Sequence, residues 1–199
     1  MSEQTQAKRP RADAERNRAR LLDAAQAAFT SGQGPVTLEQ IARDAEVGIG
    51  TLYRHFPTRE ALVEALYRKE LANLCASAGE LLKEHPPQRA LRAWMDLFAD
   101  YVAAKREMAD ALRAVFAAGT VTVSQAREEL TVAVRTILGA GVADGTLRED
   151  VRPEDVVAMI VGAFTASPAG GQEQRARMFD LLVDAVRRPG VTPPGLDNC

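Results

Sequence analysis

Between clusters of glycine and proline, the apolar residues of this chain recur at offsets of three and four, the spacing of one helix face. That periodicity constrains the fold more than any other feature. The breaks fall at positions 32–35, 57, 85–87, 119–120, 139–153, 167–171 and 189–194. No alternating β-branched run bounded by Asn-Gly or Asp-Gly accompanies them, so no hairpin is expected. Alanine supplies 35 of the 199 residues against 21 for valine and isoleucine together, and summed propensity therefore favours helix. The expectation is an all-α chain of about nine helices. Its longest apolar run, 156–164, is far shorter than the ~20 residues of a membrane span. No apolar stretch follows the polar N-terminus, so neither a signal peptide nor a membrane partner is expected, and the cytoplasm is the expected compartment.

The first helix places Leu21, Leu22, Ala25, Ala28 and Phe29 on one face, with Arg16, Arg20 and Asp23 opposite. Thr37 opens residues 38–45 with a T-x-x-Q capping box completed by Gln40. Leu38, Ile41, Ala42 and Ala45 form that helix's buried stripe. A short helix at about 49–56 turns Leu52 and Phe56 inward. Pro57 ends it, and Thr58 caps a long helix reaching about Lys83. Further helices are expected at 88–104, 107–118 and 123–143, then one opened by Pro153 with Glu154 and Asp155, and one at 172–187. Residues 1–12 read as a basic flexible arm and 189–199 as a mobile tail.

Two short amphipathic helices about three residues apart, with another before them, match a helix-turn-helix over residues 13–57. Such a motif works when its second helix protrudes and its first turn enters a major groove. With Leu52 and Phe56 inward, Thr51, Tyr53, Arg54 and His55 are the polar positions left to meet DNA. Gly48 and Gly50 remove side chains where a phosphodiester backbone approaches. Thr37 and Thr58 stand at helix N-termini, whose free N–H groups and hydroxyls suit phosphate.

The stretch T-L-E-Q-I-A-R-D-A-E-V-G-I-G-T-L-Y-R-H-F-P-T-R-E-A-L at 37–62 resembles the signature of the TetR family of transcriptional regulators. The G-V-A-D-G-T-L-R-E-D segment at 141–150 fits the family as well. The resemblance implies a homodimer with a DNA-binding domain and a divergent domain, 58–188, that binds a small ligand and dimerises. It implies a repressor released by that ligand. Thr37, Tyr53, His55 and Arg59 match phosphate-contacting positions, and Gly48, Ile49, Gly50 and Thr51 match the start of the recognition helix. Two residues depart from the pattern: Glu46 stands where Gly is common, and Gly48 where Ser is. A left-handed Glu46 would cost roughly 1 kcal/mol relative to Gly, and its carboxylate would repel phosphate if it faced DNA.

In the C-terminal two-thirds, Trp94, Phe98 and Tyr101 form an aromatic stripe, with Met108, Arg113 and Phe116 on the next helix. The stripe reads as ordinary core or, with Arg113 and Arg135, as the wall of an effector pocket. The run at 156–164 is apolar nearly all round and needs cover on both sides. Val156, Ile160 and Ala163 with Phe179, Leu182 and Val186 are therefore expected at a two-fold four-helix interface.

Other chemistries fit poorly. No cofactor is expected. Gly48-Ile-Gly50 follows a helix, and the glycines at 139, 141 and 145 read as a helix C-terminus and loop, not a nucleotide cradle. His55 and His85, the two histidines, lack partners at metal-ligand spacing, so no metal is expected. Cys75 and Cys199 are too few for a disulfide framework and should stay reduced. No nucleophile or acid–base pair supports an enzyme. A ligand-insensitive architectural DNA binder is the remaining alternative. The formal net charge of −2 excludes a generic polycation. Yet Lys8 to Arg20 holds six basic and two acidic residues, so +4 is concentrated there and −6 is spread elsewhere.

Overall fold

The computed structural model describes residues 8–31, 36–119, 121–167 and 171–189. Among these the chain forms nine helices and no strand: α1 (Lys8–Thr30), α2 (Leu38–Asp44), α3 (Ile49–His55), α4 (Arg59–Glu84), α5 (Pro87–Glu107), α6 (Ala109–Ala117), α7 (Val123–Ala143), α8 (Pro153–Ala166) and α9 (Gln172–Val186). A single antiparallel bridge, Leu147 with Arg187, is the only extended pairing among the described residues. Of the expected arm, residues 1–7 lie outside the described ones, whereas 8–12 are already the first turns of α1. The expected tail is described only at Pro189; positions 190–199 lie outside.

The chain separates into two compact units, 1–70 with 102–122, and 71–101 with 123–199. In the first, Leu21, Leu22, Ala25 and Phe29 of α1 pack with Ile41 and Ala42 of α2 and with Leu52 and Phe56, all buried. These are the residues that the 3.6-residue spacing assigns to the inner faces. Thr37 caps α2 by accepting the Gln40 N–H at 3.2 Å, but only half of the expected capping box forms. The Gln40 amide donates instead to Asp44 at 2.7 Å, one turn ahead. Thr58 caps α4 through the Ala61 N–H at 3.1 Å. Between α1 and α4, Gln26 donates to Glu70 at 2.9 Å and Lys69 pairs with Asp23. Burial raises the Glu70 pKa above the ordinary carboxylate range despite that adjoining lysine.

In the second unit α8 packs between α7 and α9. Trp94 is buried and satisfies its indole by donating to the Leu74 carbonyl at 2.9 Å. Its ring stacks on Phe98, and a chain of ring contacts continues through Phe164 to Phe179. Pro153 occupies the first turn of α8 with Glu154 and Asp155, as the N-terminal preference for proline and acid predicts. The glycine-rich stretch is the end of α7 and a turn at Gly145, φ 76°, with no strand before it.

Candidate nucleic-acid interface

The turn between α2 and α3 is a Schellman motif built without glycine. Val47 N–H donates to Ala42 O at 2.9 Å and Glu46 N–H to Arg43 O at 3.0 Å, which places Glu46 at the left-handed position. Its φ of 52° realises the strain that this non-glycine residue was expected to carry. Gly48 then serves as N-cap of α3 in extended conformation, with no side chain to cap it. The Glu46 carboxylate does not hang free: Arg20 of α1 donates to it at 2.6 Å.

From that turn α3 buries Leu52 and leads into the buried Phe56. Its other face is open. Ile49 is 40% and Tyr53 44% exposed, and Gly48, Gly50 and Arg54 are exposed beside them. Thr51 and His55 are half-buried, and a Cβ at Gly48 or Gly50 would meet nothing within 4 Å. Thr37 and Thr58 are exposed at the starts of α2 and α4, their hydroxyl oxygens accepting cap bonds. Arg59 is committed elsewhere: it donates to the Val36 carbonyl at 2.7 Å and lies 5.8 Å over the Phe29 ring. It staples the loop before α2 onto α1. Arg18 likewise lies 5.3 Å over the Phe56 ring.

The remaining candidates fall in both units. Trp94, Phe98 and Tyr101 are buried in the second unit, and Met108 and the half-buried Phe116 belong to the first. Arg113 and Arg135 lie on the surface. Their side chains are 75% and 60% exposed and pair with Asp110 and Glu154. Two open clefts in the second unit, about 260 and 240 Å³, are lined around Leu147, Arg148 and Arg188 and around Arg89, Arg92 and Asp180. None of the expected effector residues lines them.

Val156, Ile160, Ala163, Phe179, Leu182 and Val186, the residues expected at a dimer interface, are buried within the single chain. The apolar surface of α8 and α9 is carried instead by Met159, 54% exposed, Val161, 42%, and Leu181, 69%. An all-round apolar helix signals that two sides are covered but not which residues face which side.

The Cys75 thiol is pushed up to about 11 by burial and by Glu129, and Cys199 lies outside the described residues. Among the described residues no group of three histidine, cysteine or acidic side chains is placed to hold a metal ion. No described helix is long and apolar enough to cross a membrane.

Residues 21–66 match the family described as bacterial regulatory proteins, tetR family, and residues 86–188 match the C-terminal domain of SbtR-like transcriptional regulators. Among solved structures, a TetR transcriptional regulator from Streptomyces coelicolor is 46% identical, the match covering 86% of this chain and 99% of that one, with TM-score 0.74. A TetR transcription regulatory protein from Mycobacterium vanbaalenii is 31% identical over 89% and 99%, with TM-score 0.69. SmeT, the repressor of a multidrug efflux pump of Stenotrophomonas maltophilia, is 22% identical over 89% and 94%, with TM-score 0.56, a likeness of fold alone. No curated protein matches the chain.

Proposed function

The chain belongs to the TetR family of transcriptional regulators, and on that premise we propose that it is a repressor which binds a palindromic operator as a homodimer and is released by a small organic effector. The observation that carries the reading is the open face of α3. An isoleucine and a tyrosine are left exposed on a short helix whose opposite face is fully packed. Ile49 suits a thymine methyl, while Thr51, Tyr53 and Arg54 suit base edges and phosphates. Gly48, Gly50, Thr37, His55 and Thr58 frame that face where the duplex backbone would run. Two such helices must stand roughly 34–36 Å apart to meet successive major grooves. Dimerisation is assigned to Met159, Val161 and Leu181. The carriage of Arg59 is more structural than its family position suggests, since its guanidinium already serves Val36 and Phe29.

The effector is assigned to the aromatic residues Trp94, Phe98 and Tyr101. To act, it must favour a protomer arrangement with the wrong helix spacing, because a ligand that binds both states equally shifts nothing. Enzymatic turnover is not part of this reading.

Selection of duplexes from a randomised pool, followed by fluorescence anisotropy, tests the core of the proposal. The expected product is a two-fold consensus bound with salt-dependent affinity and lost in Tyr53→Ala. Absence of any enriched sequence, or a Tyr53→Ala variant that selects and binds like the wild type, would sink it. An effector is recognised when one compound raises the melting temperature and releases the selected duplex together.

A further inference from the structure

Glu46 is the one non-glycine residue with positive φ among those described, at a position where glycine carries no penalty. Its side chain is 83% exposed and gains no packing there. What it has is Arg20, whose Nη2 lies 2.6 Å from Glu46 Oε2 across 26 positions of chain. The carboxylate stands two residues before Gly48, the N-cap of α3, and so beside the leading edge of the recognition helix. Arg20 closes the Lys8–Arg20 stretch in which the positive charge is concentrated. Within it Arg16 pairs with Asp13 and Arg18 lies over Phe56, so Arg20 is held by the turn itself.

An ion pair this exposed adds little to folding. Near a duplex it matters more. While Arg20 stays paired, Glu46 neutralises the charge it would bring to a phosphate, and if Arg20 swings away the carboxylate is left facing a polyanion at short range. Phosphate contacts carry no sequence information, so a device that suppresses one weakens binding to every duplex about equally.

We propose that Glu46 is a brake on sequence-independent DNA binding: it holds Arg20 at the edge of the recognition helix and withholds it from the phosphate backbone. Glu46 is thus a positioning residue, acting through Arg20 without touching DNA. The inference rests on the DNA-binding reading above.

The test compares wild type, Glu46→Gln, Arg20→Ala and the double variant on two probes, a random-sequence 30-base-pair duplex and the duplex that the wild type selects from a pool. Anisotropy titrations run from 50 to 300 mM NaCl. Glutamine keeps the strained backbone and removes the charge. Glu46→Gln is expected to bind both duplexes several-fold tighter, with a salt slope steeper by about 0.9 per protomer, the signature of one added phosphate contact. Arg20→Ala should alter wild-type binding little and should abolish most of the Glu46→Gln gain. Melting temperatures within a degree or two of wild type separate this from a folding effect. Unchanged or weaker binding by Glu46→Gln, an unchanged slope, or a gain that persists in the Arg20→Ala background overturns the brake. A wild type that binds the selected duplex no better than the random one overturns the operator reading instead, while the random duplex still decides the brake.

Discussion

Two glycines in α7, two positions apart, should respond to alanine with opposite signs. A Cβ at Gly139 meets nothing within 4 Å. Alanine there gains helix propensity, roughly 0.5–1 kcal/mol, and costs no contact. A Cβ at Gly141 would lie 2.3 Å from both Cγ and Cδ1 of Leu147 and 2.8 Å from its Cβ. Rotating the leucine clears the first two atoms but not the third, so the backbone of the turn must move. That backbone is pinned. Thr146 and Leu147 both donate to the Gly141 carbonyl at 2.9 Å, while Arg148 N–H reaches Val186 O and Arg188 N–H reaches Thr146 O, each at 3.0 Å. Leu147 is 2% exposed and has no open space to retreat into. Overpacking of this kind costs about 1–3 kcal/mol, which exceeds the propensity gain. Gly141→Ala should therefore be net destabilising by about 1–2 kcal/mol, a fall in Tm of roughly 2–8 °C for a chain of this size. Urea unfolding followed by far-UV circular dichroism, at one protein concentration so that association does not shift the midpoint, measures both variants. In a Leu147→Gly background the cost of Gly141→Ala should shrink by about 1 kcal/mol or more, because all three clashing atoms, the Cβ included, are gone. Equal stability of the two alanine variants, or an undiminished cost in that background, refutes the reasoning.

Three further outcomes follow from buried or committed side chains. Burial pulls Lys105 down to about 7, its Nζ 4.3 Å over the Tyr67 ring, so between pH 7 and the ordinary lysine value near 10.4 the unfolded chain binds a proton that the fold lacks. Stability from this residue is thus lost as pH falls through that window, and Lys105→Met should raise Tm more at pH 6 than at pH 9; an equal gain at both argues against desolvation as the cause. Arg59→Ala should lower Tm by the equivalent of about 1 kcal/mol through loss of the Val36 bond and the Phe29 contact, whereas a residue serving phosphate alone would leave thermal melting unchanged. Ile160→Ala should destabilise the fold by about 2–5 kcal/mol, while Met159→Glu, one residue away and exposed, should leave secondary structure intact and yield monomers in sedimentation analysis.

How much of this was legible in the sequence differs by element. The extents of α4 and α7 and the start of α8 are readable because proline, threonine caps and apolar spacing act within one or two turns. The inward placement of Leu52 and Phe56 followed from the same local period, and with it the open face carrying Tyr53. The capping box at Thr37 was legible only by half, since the Gln40 side chain had a competing partner in Asp44 at the next turn. Arg59 matches a phosphate-contacting position by its place in a motif, whereas its contacts to Val36 and Phe29, 23 and 30 positions back in the chain, are not legible there. The exposure of Arg113 and Arg135 was equally hidden, because a basic residue on an amphipathic helix can snorkel outward or turn into a pocket without changing the pattern.

Local chemistry by itself determined that this chain is helical, where its helices break, that a helix-turn-helix occupies its first third, and that Glu46 would pay for a turn made for glycine. Those outcomes depend on interactions a few residues long, which one chain position can read from its neighbours. Tertiary packing alone decided that Glu46 is tied to Arg20, and that Ile160 faces inward while Met159 faces out. The reason is physical: α8 is apolar on every side, so its own period carries no preference for a buried face. That preference appears only when α7 and α9 close over one side of it.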